Sequence, residues 1–144
     1  MKKYTCPLFI TLIFSVFLFT QIQADDSFPI LQSSSDYNGK TFALVVYEKD
    51  IIGKPSWRQG DSPPLPIEDA ITIAANGLIE VSEELRVLSS ASIQRVWDDN
   101  WIYIISFMED GLSDAGGTGT VSAAVTMDGG LILPSIKTST NDFP

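Results

Sequence analysis

The side chains able to do chemistry are few in kind. The chain has no His, and its one Cys is Cys6. That removes imidazole acid–base catalysis, Ser–His triads and the usual structural zinc sites. What remains is carboxylates, hydroxyls, Lys, Arg and aromatics. Glu83-Glu84 and Asp98-Asp99 are adjacent carboxylate pairs. Neighbouring positions on a helix face different ways, and a turn Asp pair serves its own turn, so neither pair forms a convergent acid–base couple. Asp110, Ser113, Asp114 and Thr118 lie in a Gly-rich stretch and could offer oxygens to calcium. Their spacing does not match the EF-hand loop, and a solvated polar loop accounts for them. No catalytic residue, metal ligand or cofactor site is expected. The remaining chemistry is recognition. Arg95, Trp97, Trp101 and Tyr103 are of the types that dominate interface energetics, and they lie close together.

These four must be positioned by the stretch Ser92–Met108. Trp101 to Met108 is β-branched, aromatic or otherwise apolar apart from Ser106, as a buried strand requires. Asp98-Asp99-Asn100 reads as a turn. A three-residue loop would set Trp97 opposite Trp101, Val96 opposite Ile102 and Arg95 opposite Tyr103. Alternation then sends Arg95, Trp97, Trp101 and Tyr103 to one face and Val96, Ile102 and Ile104 to the other. The second is the cleaner core face. The first is the expected partner-binding face, unless the loop carrying Trp57 covers it.

Other elements follow in order. Lys2 and Lys3, the apolar run Leu8–Phe19 and the small residue Ala24 make a secretory signal peptide over 1–24. The run is too short for a comfortable membrane span. Roughly 120 residues remain, enough for one small domain. Losing Lys2 and Lys3 takes the net charge from −9 to two units lower, −11. Nucleic acid and anionic membrane surfaces are disfavoured partners for so acidic a chain. Without Cys after the leader there is no disulfide framework, so burial must hold the domain.

Residues 25–40 read as a flexible N-terminal tail and 137–144 as a flexible C-terminal one. Between them, 41–136 is a single α+β domain. Thr41–Glu48 is a strand, and Lys49–Leu65 a long Pro- and Gly-bearing connection. Pro66 opens a helix with an apolar stripe at Ile67, Ala70, Ile71, Ala74, Leu78, Val81 and Leu85. The stripe keeps its phase through Asn76-Gly77 and predicts a continuous or kinked helix to about Leu88. Val121–Met127 is a further strand, Asp128-Gly129 a tight turn, and Gly130–Ile136 the last strand. One main helix on an antiparallel sheet of four to five strands, in β-α-β-β-β-β order, is the expected fold.

At the motif level, Leu65–Ala74, Trp101–Phe107 and Val125–Ile132 resemble PepSY-type exported bacterial domains. That resemblance implies a noncatalytic, periplasmic or extracellular module, of a kind proposed to inhibit or regulate peptidases. The strand order is also similar to the cystatin fold, with Gln94-Arg95-Val96-Trp97-Asp98 at the first inhibitory hairpin. Asp98 stands where that motif has Gly, and Asp128-Gly129 stands where the second hairpin has Pro-Trp. Protease inhibition is therefore the weaker implication. Two function classes stay open. One is a small exported binding or regulatory module acting on another envelope or secreted protein. The other is a carboxylate-based enzyme or small-ligand carrier with a pocket between helix and sheet.

Overall fold

The computed structural model describes residues 27–82, 85–109 and 119–138. The expected signal peptide, the Gly-rich loop with Asp110, Ser113, Asp114 and Thr118, the Glu83-Glu84 pair and the end of the C-terminal tail lie outside them.

Strand β1 (Pro29–Tyr37) pairs antiparallel with β2 (Lys40–Tyr47). Asn38 and Gly39 between them have φ of 49° and 70°. Two successive positive φ values make a tight hairpin turn whose twist matches the strands, and Asn-Gly is the dipeptide that tolerates both. Most of the expected N-terminal tail is thus a paired strand. A short helix α1 (Glu48–Ile51) follows, with Asp50 accepting from the Tyr47 N–H at 2.9 Å.

Helix α2 (Ile67–Val81) runs unbroken through Asn76-Gly77. Glu68 and Asp69 place negative charge at the positive end of its dipole. Ala70, Ala74, Gly77 and Leu78 are buried along one stripe. A Cβ on Gly77 would sit 2.3 Å from the Leu131 Cδ2, so glycine keeps that crossing close. The helix ends at Val81, short of the expected Leu88, and Leu85 already opens a strand.

That strand is β3 (Leu85–Trp97), followed by β4 (Asn100–Glu109), β5 (Thr120–Thr126), β6 (Leu131–Ile132) and β7 (Ser135–Thr138). The expectation of one sheet fails here. The described residues form two: a four-stranded sheet ordered β3-β4-β5-β6 and a three-stranded one ordered β1-β2-β7. The expected last strand, Gly130–Ile136, is split. Pro134 lacks the N–H a ladder needs, and the chain changes sheets around it. Ser135–Thr138 then pairs with β2 as β7, so part of the expected C-terminal tail is also strand.

The second sheet follows from the composition of β4. Its Ile102, Tyr103, Ile105 and Phe107 are all buried, so both of its faces need covering. Tyr103, Ile105 and Phe107 join Val121, Ala123, Val125 and Met127 in one core with Ala70, Ala74 and Leu78 of α2. Ile102 and Ala124 join Leu44 and Val46 of β2 and Ile51 of α1 in a second core. The layers are thus helix, four-stranded sheet, three-stranded sheet. Ser106 and Ser122, on the sheet-facing side of β4 and β5, hydrogen-bond each other at 2.8 Å. The Tyr37 hydroxyl donates to Glu109 at 3.1 Å, tying the sheets at one end.

Candidate binding surface at the β3–β4 turn

The β3–β4 connection is two residues long rather than three. Trp97 pairs with Asn100, leaving Asp98-Asp99 as the turn. Asp98 takes φ of 42°, a left-handed value that Asp tolerates because its short side chain bonds locally. The ladder then skips one residue. Arg95 pairs with Trp101, Ile93 with Tyr103 and Gln94 with Ile102. Val96 is the inserted residue of a β-bulge, which breaks the alternation between Arg95 and Trp97.

The four expected recognition residues are therefore not presented on one open face. Tyr103 is fully buried in the helix-side core, and its hydroxyl donates to the Leu65 carbonyl. Burial first, and the charge of Glu68 second, raise its phenol above the usual value, so it stays a neutral donor. Trp101 is half-buried, with the Trp57 ring edge-on to it at 5.0 Å and 80°. The long connection does fold back onto the hairpin. The Trp57 backbone N–H donates to the Asp99 carbonyl at 3.3 Å, and its indole N–H to the Asp61 carbonyl at 3.0 Å. Trp97 and Arg95 remain outside. Trp97 is 48% exposed. Arg95 donates to the Asp98 carbonyl and pairs with the Asp99 carboxylate at 3.4 Å. That pair is well exposed, so it orients the turn more than it stabilises it.

Three consequences follow for recognition. The turn backbone is held from both sides, by Arg95 and by Trp57. One large amphipathic ring, Trp97, projects from that fixed turn. Asp98, Asp99 and Arg95, its neighbours along the turn, are exposed and carry charge of both signs. An aromatic side chain with few rotors on a fixed backbone loses little freedom on binding, which is the property of an interface anchor.

Sequence reasoning missed two other features. The β5–β6 turn is strapped to the segment after α1, where Lys54 Nζ donates to Asp128 at 2.7 Å. These residues are far apart in sequence, and no local pattern signals their meeting. A hydroxyl-lined cleft of about 130 Å³ opens between the sheets, bordered by Ser33, Ser35, Thr120 and Ser122. The Ser33-Ser34-Ser35 run is its only trace in the sequence. Between α2 and the sheet, by contrast, Ala70, Ala74, Leu78 and Tyr103 are fully buried in one packed cluster. Among the described residues, no group of three or more Asp or Glu side chains could hold a metal ion, and no helix is long and apolar enough to cross a membrane.

Compared with known proteins, the chain matches no family model, no curated protein and no solved structure.

Proposed function

We propose that the protein is a small exported noncatalytic module that binds another envelope or secreted protein through the β3–β4 turn. Trp97 is the anchor and Arg95 the charged flank. The observation that carries this reading is the exposure of Trp97, 48%, on a turn whose backbone is already fixed by Arg95 and Trp57. An indole on a turn whose backbone is already bonded from both sides offers a large contact area with few rotors left to order. The basic start, apolar run and Ala24 support export, and the resemblance to PepSY-type domains supports an envelope partner. Net charge of −9 for the full chain, two units lower once Lys2 and Lys3 are removed, favours a neutral or basic protein surface over nucleic acid.

The test uses the exported protein, its leader cleavage checked by intact mass, as bait in envelope extract. Wild type is compared with Trp97→Ala and with Arg95→Ala. A partner held by wild type and lost from Trp97→Ala supports the reading. A partner retained equally by both variants sinks it, as does an exported mass that still includes residues 1–24.

A further inference from the structure

Beyond the turn, the longest described strand is an open edge among the described residues. β3 spans 13 residues and pairs only with β4 among the described strands. Open edges in natural sheets are guarded by charge, Pro, bulges or shortness. The other three edges have such guards. β6 is two residues long. β7 is four residues and carries Lys137. β1 begins at Pro29 with a register shift and carries Asp36. β3 has register shifts at Arg86, Ser89 and Val96 and carries Arg86 and Arg95, but these bracket its centre rather than interrupt it. Ser90 to Arg95 keeps a continuous register against β4. From Val87 to Gln94 there is no charged side chain, in a chain of net charge −9.

The exposure pattern is equally open. Ser90, Ser92 and Gln94 are exposed, Ala91 and Ile93 are half-buried, and Leu88 is 42% exposed. We propose that this edge pairs antiparallel with the same edge of a second copy, about a two-fold axis at Ser92, joining two four-stranded sheets into one of eight. A two-fold perpendicular to the sheet keeps each face on its own side, so opposed residues must share a face. The axis at Ser92 meets that condition. It sets Ile93 against the other copy's Ala91 and Gln94 against its Ser90. Beyond the bulges it brings Arg95 level with the other copy's Leu88. Apolar meets apolar, amide meets hydroxyl, and no like charges are opposed. A second copy is the fitting occupant because the uncharged centre spares two acidic chains any charged side chain at the seam. The antiparallel arrangement sends the two Trp97 turns to opposite ends of the joined sheet, so this surface and the turn can be occupied together.

The experiment is sedimentation and light scattering of the purified protein at rising concentration, up to about 1 mM. Wild type should reach twice the chain mass. Ser92→Lys opposes two ammonium groups at the axis and should weaken association at least about tenfold. Ser92→Thr, uncharged and strand-favouring, should keep the dimer. Hydrogen exchange on wild type supplies a readout independent of any variant. Amides within Ser90–Arg95 should gain protection with concentration. A wild type monomeric throughout overturns the proposal. So does a dimer that survives Ser92→Lys, which would point to another surface such as the β1 edge. If Ser92→Lys fails to fold, exchange decides: protection at Ser90–Arg95 that ignores dilution overturns it.

Discussion

Replacing Asp128 by Asn tests the strap between the β5–β6 turn and the segment after α1. The carboxylate accepts from Lys54 Nζ at 2.7 Å, from the Thr126 hydroxyl at 2.5 Å and from the Gly130 N–H at 3.3 Å. The Lys54 hydrogen bond first, then the Thr126 one, hold the carboxyl at about 2, below its ordinary 3.8. Converted in full, that gap would be worth about 2 kcal/mol. The Asp128 side chain is 38% exposed and that of Lys54 32%, so water screens the pair. About 1 kcal/mol is the expected contribution. A carboxyl depressed in the folded state stabilises above its unfolded value and loses that stabilisation as pH falls through the folded one. Asp128→Asn keeps an oxygen acceptor for Thr126 and Gly130 but loses the charge. Urea unfolding followed by Trp fluorescence should therefore show the variant about 1 kcal/mol less stable near pH 7. The difference should shrink from about pH 4 downward and be mostly lost by about pH 2. Equal stability at neutral pH, or a deficit that persists undiminished at about pH 2, would refute the argument.

Trp97→Ala should change stability by no more than about 0.5 kcal/mol, whereas Trp101→Ala should cost about 2 kcal/mol through lost burial and the lost Trp57 edge contact. Paired thermal melts check this split. Tyr103→Phe removes the bond to the Leu65 carbonyl and should cost about 1 kcal/mol near neutral pH. Burial raises the Tyr103 phenol, so the wild type should lose stability as pH rises beyond about 10, and the variant should lose less. Gly77→Val drives side-chain atoms into Leu131 and should cost about 2 kcal/mol. In Gly77→Ala, about 1 kcal/mol of gained helix propensity opposes the displacement of a partly exposed Leu131, so its melt should shift far less.

Elements whose burial pattern is local were legible in the sequence. β2, α2, β4 and β5 each have a run or stripe that states its own period. β1 was hidden because Ser33-Ser34-Ser35 has little strand character, although Asn38-Gly39 carried the hairpin signal. The second sheet was implied by β4, since Ile102 and Tyr103 point to opposite faces and both are buried. Reading one of those faces as an open recognition surface left apolar side chains without cover. The hairpin register turned on a single residue. With Asp98-Asp99 as a two-residue turn and Val96 as a bulge, Arg95 moved opposite Trp101 and away from Tyr103. Turn length and bulge are settled by the twist of the whole sheet, which no local pattern in the hairpin reports. Of the candidate site, Arg95 and Trp97 stayed at the surface and Trp101 and Tyr103 became packing.

The change of sheet at Pro134 also governs the order in which the molecule can be completed. β2 receives its second neighbour from Ser135–Thr138, with Phe42 opposite Ile136. A chain emerging amino end first therefore holds β2 with one bare side until Ser135–Thr138 has appeared. The sheet that begins the described chain is the last to close, and its closing contacts are among the most distant in sequence, where loop entropy makes pairing slow. Loss of Ser135–Thr138 would bare one side of β2, so copies lacking that segment should be less soluble than copies that keep it.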